Sequence, residues 1–218
     1  FPATVFVRKS PVESPVHREG RIDEILVRIT DGADTHQLFV RGMFTYRAVT
    51  QPSRHVPILR GVLADILNDQ TTTGPGSFRY KGIANVYDSL PTEFLFTAPR
   101  QAISEMVERV FDAEQQQDVG VTFTMNGPDS AFCLLAMPKT QFGDDLRRQL
   151  EHEIVRTTGA TYCDHGVFVG RYDTVLLHYF LTGVSDPGPD AIEALTERIR
   201  QVATPWLARL WNALAERL

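Results

Sequence analysis

A chain of 218 residues with 43% hydrophobic content can bury a sizeable core, in one large domain or in two of about 100 residues each, and two is the expectation here. Its 22 basic and 27 acidic side chains leave a net charge of −5, which argues against nucleic acid and anionic membrane surfaces as partners. The longest apolar runs, Ala131–Met137 and Val175–Leu181, are too short to span a bilayer, and two cysteines suit a reducing compartment, so a soluble cytoplasmic protein is expected. Phe1 is not an initiator, and the start reads as a cut inside a longer polypeptide.

The first half opens with a short alternating strand, Thr4–Arg8, then an irregular proline-punctuated stretch, Pro11–Pro15. Glu24–Thr30 alternates as a strand should, and Asp31-Gly32 turns the chain into a second strand, His36–Met43. Pro57 opens a helix whose stripe of Ile58, Leu59, Val62, Leu63, Ile66 and Leu67 ends near Asn68. Ser77 can cap the next helix, which carries Ile83, Val86, Tyr87 and Leu90 and is stopped by Pro91. A longer helix begins at Pro99, turns Ile103, Val107, Val110 and Phe111 inward, and fades over Glu114–Asp118. The domain boundary is placed there, giving a strand-plus-helix subdomain over 1–118 and a second domain over 119–218.

The second half is more regular. Strands over 119–125 and 131–137 flank the turn Asn126-Gly127-Pro128-Asp129, and a helix over 141–157 buries Phe142, Leu146, Leu150 and Ile154. Thr140 is its expected cap, Asp144 and Asp145 suit its positive end, and Gly159 follows its last turn. Strands over 161–169 and 173–182 surround Gly170-Arg171, and a helix over 189–202 closes the unit. This ββαββα order is a circular permutation of the ferredoxin-like sandwich. The fold class is therefore α+β, with a mixed sheet plus helices in the first half and a four-stranded layer, covered by helices on one side, in the second. The permutation places 131–137 beside 173–182 at the centre, and sets Cys133 and Cys163 two strand spacings apart, roughly 9.6 Å.

No residue pattern carries catalysis, and no catalytic residue is assigned. Cys133, Cys163, Asp164, His165 and His178 lack the CxxC or HxxxH spacing of a metal site, so structural cysteines and no metal are expected. His178, in mid-strand, reads as a core histidine satisfied by a neighbour. Gly74-Pro75-Gly76-Ser77 lacks the lysine and spacing of a phosphate loop, and no GxGxxG joins a strand to a helix, so no cofactor is expected in this segment. His17, Arg18 and Arg41 stand near strand ends, where arginine can hold an amino-acid carboxylate; loop-anchoring hydrogen bonds are the plainer reading. Thr140, Gly143 and Asp144 lie in a strand-to-helix connection whose free N–H groups suit a small anionic effector, although the acidic side chains already occupy that end. Trp206, Leu210, Trp211 and Leu214 share one side of a terminal helix, as core or as an interface with another domain or protomer.

Val16-His17-Arg18, Arg41-Gly42-Met43-Phe44-Thr45, Pro57-Ile58-Leu59-Arg60, Leu90-Pro91, Met137-Pro138 and Leu177-His178-Tyr179-Phe180 occur in the order seen in the large bacterial NAD-specific glutamate dehydrogenases. From Ser14 to Trp211 the chain resembles their amino-terminal regulatory region, which carries ACT-like modules. Thr92-Glu93-Phe94 and Lys139-Thr140 depart from that family's usual charges. The resemblance implies a non-catalytic regulatory and assembly segment of a homo-oligomeric enzyme that uses NAD, with neighbouring domains of the same chain as partners and an amino acid as a possible effector. The alternative is a stand-alone interaction module that docks through the helix Trp206–Leu214.

Overall fold

The computed structural model describes residues 5–16, 20–31, 34–69, 74, 76–116, 118–169 and 173–204. They form an α+β structure with two antiparallel sheets. Strands β1 (Val5–Glu13), β2 (Arg21–Asp31) and β3 (Asp34–Gly42) make a three-stranded meander in that order. β1 continues through the stretch expected to be irregular, and a register shift between Lys9 and Glu13 accommodates it. Period-two alternation puts Ile25, Val27 and Ile29 of β2 on one face with their neighbours Val40 and Leu38 of β3.

Helices α1 (Tyr46–Val49), α2 (Pro57–Asp69), α3 (Phe78–Ser89), α4 (Thr92–Thr97) and α5 (Arg100–Gln116) follow. Ser77 caps α3 by accepting the Tyr80 N–H at 3.2 Å. Pro91 ends that helix as expected but then opens α4, a six-residue helix too short to display a 3.6-residue period. Phe94 and Leu95 of α4 are buried.

The second sheet comprises β4 (Gly120–Met125), β5 (Ser130–Pro138), β6 (Tyr162–Val169) and β7 (Thr174–Thr182), in the order β4-β5-β7-β6, with α6 (Asp144–Thr158) and α7 (Pro189–Ala203) completing the unit. That order is the one the permuted sandwich requires. β5 and β7 are central neighbours; Cys133 pairs with Tyr179 and Cys163 with Leu181, on opposite edges of β7, and both thiols are free. The helix cap differs: Lys139–Gln141 forms a 3-10 turn, so α6 starts later, from Gly143 rather than Thr140. It ends on Gly159 at φ 65°, in the left-handed region that glycine adopts without strain.

Cover on one side only is not what the structure shows. Cys133, Leu135, Met137, Leu177, Tyr179 and Leu181 pack against Leu150 and Ile154 of α6 and Leu195 and Ile199 of α7. The opposite face, with Phe132, Leu134, Ala136, Leu176 and Phe180, shares a second core with Ile66, Tyr87, Phe94 and Val110 of α2–α5. Two continuously apolar strands need partners on both faces, and the first half supplies the second cover. Among the described residues no helix is long and apolar enough to cross a membrane.

Candidate functional site

Where β1 and the start of β2 meet α4 and one end of the four-stranded sheet, the fold leaves a partly open cavity of about 540 Å³. Strand register builds its charged wall. Lys9 is the cross-strand partner of Asp23, so the two side chains share a face, and Lys9 Nζ lies 2.7 Å from Asp23 and 2.6 Å from Glu93 of α4. Asp23 also accepts the Phe44 N–H at 2.8 Å. Burial alone would lower the pKa of Lys9, but the Glu93 and Asp23 carboxylates reverse that and hold it above its ordinary value. Burial pushes Glu93 up against the pull of Lys9. One cation between two acids stays charged, and it ties the three-stranded sheet to α4.

The opposite face of that sheet carries a second charged group. Glu24 sits between Arg8 at 2.7 Å and Arg41 at 2.8 Å, its side chain 2% exposed beneath theirs. The hydrogen bond from Arg8 holds its carboxyl below the ordinary value, with Arg41 adding to the effect.

The cavity floor comes from the four-stranded sheet. Ser130, Thr182 and Tyr162 are register partners in one row across β5, β7 and β6, and Phe132 and Phe180 form the next row on the same face. The two phenyl rings lie 5.0 Å apart between centroids. Arg21, at the start of β2, lays its guanidinium 4.5 Å above the Tyr162 ring.

The expected effector residues fall in separate places. Arg41 is engaged by Glu24 in the three-stranded sheet. Thr140 and Gly143 belong to the β5–α6 connection, and Asp144 is held there by Arg147 and Arg148 of its own helix. Its carboxyl is lowered chiefly by the Arg147 hydrogen bond. His17 and Arg18, together with Trp206, Leu210, Trp211 and Leu214, lie outside the described residues.

His178 differs from its expectation of a satisfied core histidine. Its Nδ1 is buried with no hydrogen-bond partner, and the ring is instead packed on Phe168 at 5.5 Å and against the backbone at Gly166. Burial pushes its pKa down to about 4. Burial likewise raises both thiols, Cys163 to about 12, so neither is a thiolate near neutrality. Among the described residues no group of three or more His, Cys, Asp and Glu is gathered as metal ligands.

Lys9, Arg21 and Glu93 are not among the candidate site residues of the sequence analysis, where Glu93 enters only as a departure from the family's usual charges. Each comes from a separate element, and only tertiary packing brings them to one wall; the single local hint is that the side of the strand begun by Val5 and Val7 continues with a lysine, Lys9.

No protein-family model matches the chain. It is similar to the NAD-specific glutamate dehydrogenase of Halomonas elongata, with 23% identity over 221 aligned positions that cover 99% of this chain and 14% of that protein. It is also similar to the NAD-specific glutamate dehydrogenase of Mycobacterium tuberculosis, with 25% identity over 202 positions, 85% of this chain and 12% of that protein. The chain thus spans less than a sixth of the length of either relative, and along nearly all of its own length it is similar to a segment of an NAD-specific glutamate dehydrogenase.

Proposed function

We propose that this chain is a non-catalytic regulatory and assembly segment of an NAD-specific glutamate dehydrogenase, whose whole polypeptide oxidises L-glutamate to 2-oxoglutarate with NAD. The observation that carries the reading is the open three-stranded sheet. Ile29, Leu38 and Val40 stand on one face at 49, 53 and 49% exposure, and Phe6 and Phe39 stand on the other at 42 and 50%. An apolar surface of this extent calls for a cover. The relatives carry most of their length outside the matched stretch, and the occupant proposed is a neighbouring domain of that same longer polypeptide. The ACT-like character of the second sheet, homo-oligomerisation of the parent, and regulation by an amino acid belong to this proposal.

The test uses both forms of the protein. The isolated 218-residue chain should produce no NADH from glutamate and NAD, and reproducible turnover would overturn the reading. In the whole enzyme, Leu38→Glu should loosen the packing of this segment, seen as faster amide exchange along β2 and β3. Unchanged exchange would remove the assembly role.

A further inference from the structure

Apolar side chains of the three-stranded sheet stand in rows that stop at the outer edge of β3. Strand register gives Val5, Val27 and Leu38 as one row, Phe6, Leu26 and Phe39 as the next, and Val7, Ile25 and Val40 as the third. Every residue of β3 is exposed, and its register with β2 is unbroken over nine pairs. The strand has no proline, no lysine and no bulge, and its charges, Asp34 and Arg41, stand toward its ends. Such an edge offers open main-chain groups to another strand, and proteins ordinarily blunt it. The other sheet edges are blunted. β1 carries a register shift and is tied to α4 by Lys9 and Glu93, β4 runs between α5 and α7 with Val121 only 1% exposed, and β6 is interrupted by Asp164, His165 and Gly166.

A second copy of β3 fits this edge. A two-fold axis normal to the sheet pairs the strands antiparallel and keeps every side chain on its own face, so facing residues are an even number of positions apart. With the axis at Phe39, the two Phe39 rings become neighbours, Leu38 meets the partner's Val40, and Gln37 meets the partner's Arg41. All three apolar rows then continue into apolar rows across six strands, and no like charges face each other. An axis one residue to either side breaks two of the three rows. At Leu38 it sets Phe39 and Val40 against Gln37 and His36, and at Val40 it sets Leu38 and Phe39 against Gly42 and Arg41. The pairing also closes, because the outer edges of the joined sheet are the two β1 strands, with their register shifts and α4 contacts. We propose that two copies of this chain associate through β3, antiparallel about a two-fold axis at Phe39. The proposal deepens the assembly role by naming a contact between protomers, and it leaves the faces of the sheet to the neighbouring domain. It rests on that reading only for the presence of the contact in the whole enzyme.

The test combines sedimentation equilibrium of the 218-residue chain with mild oxidation of single-cysteine additions. A shared strand edge is a small interface, so a reversible dimer in the micromolar range is expected, at twice the 24.5 kDa of one chain. Phe39→Cys should form a disulfide between copies, because facing Cα atoms of an antiparallel pair lie about 4.5–5.5 Å apart. Gln37→Cys should not, since the two introduced thiols would be offset by four positions, roughly 13 Å along the strand. The parent chain is the blank for its own free thiols, Cys133 and Cys163. Phe39→Lys sets two cations against each other and should weaken the dimer by roughly tenfold or more. Phe39 is already 50% exposed, so circular dichroism of the diluted variant should match that of the parent. A chain that stays monomeric up to about 100 μM, a Phe39→Lys chain that dimerises as well as the parent, or cross-linking at position 37 in preference to 39 would overturn the proposal. A monomeric isolated chain with protected β3 amides in the whole enzyme would assign the edge to a strand of the same polypeptide, overturning the two-copy contact while the assembly role stands. Glutamate turnover by the isolated chain would sink the segment reading and leave the dimer untouched, so the two tests fail separately.

Discussion

Gly82 of α3 lies directly against the ring of Phe111 of α5: a Cβ added at position 82 would stand 2.2 Å from Cε2 of that ring. Alanine normally gains about 1 kcal/mol over glycine inside a helix, but here the added methyl must displace a ring that is 6% exposed and bounded by Phe78 and Arg79. Overpacking of this kind costs roughly 1–3 kcal/mol. Gly82→Ala should therefore lower stability by about 1–2 kcal/mol in urea titration, and a more stable variant would show that the ring swings aside freely.

Lys9 is the only cation bonded to both Asp23 and Glu93 among the described residues, and removing it would strand two acids, one of them 5% exposed. Breaking a buried pair from one side costs roughly 3–5 kcal/mol. Because Glu93 retains 22% exposure, Lys9→Met should cost about 3 kcal/mol, and adding Glu93→Gln to that variant should recover part of the loss. Equal stability of parent and Lys9→Met in guanidinium titration would mean that the network contributes nothing net.

The folded-state pKa of His178 is depressed from 6.5 to about 4, so the unfolded chain takes up the proton first. Stability tied to this residue is fully present above pH 6.5, is lost as the pH falls towards 4, and levels off below that. The effect is on the order of 2 kcal/mol, and His178→Leu should flatten the stability profile across that window while the parent declines. A parent profile already flat there would contradict the neutral, buried imidazole.

Glu24 acts at lower pH. Its pKa is lowered below 4.5, so the stability it contributes is present above that value and is lost as the pH falls through the folded one. Arg8→Gln should shift the acid limb of thermal unfolding to higher pH, and adding salt should change it little, because Glu24 is itself covered by the arginine stems.

The second half was legible because its strands are bounded by strong turn residues and its two central strands are apolar without interruption. Predicted and observed ends of β4 to β7 agree within about one residue. The same uninterrupted runs already demanded a second layer over the sheet, yet nothing local in the sequence says that α2–α5 provide it. Two misses have short-range causes: α4 spans less than two turns, and Lys139–Gln141 takes a 3-10 turn before α6 begins. The cavity was illegible for a long-range reason. Lys9 and Glu93, or Arg21 and Tyr162, meet only after the first sheet docks beside the second, and no periodicity encodes that approach.

The placement of α2–α5 over the second sheet limits how the gene can be cut. A fragment beginning at residue 119 would retain β5 and β7 but lose the helices above Phe132, Leu134 and Phe180, leaving a greasy flank bare to water. Such a truncation would be prone to clump during expression, and any minimal version of this protein must keep both halves together.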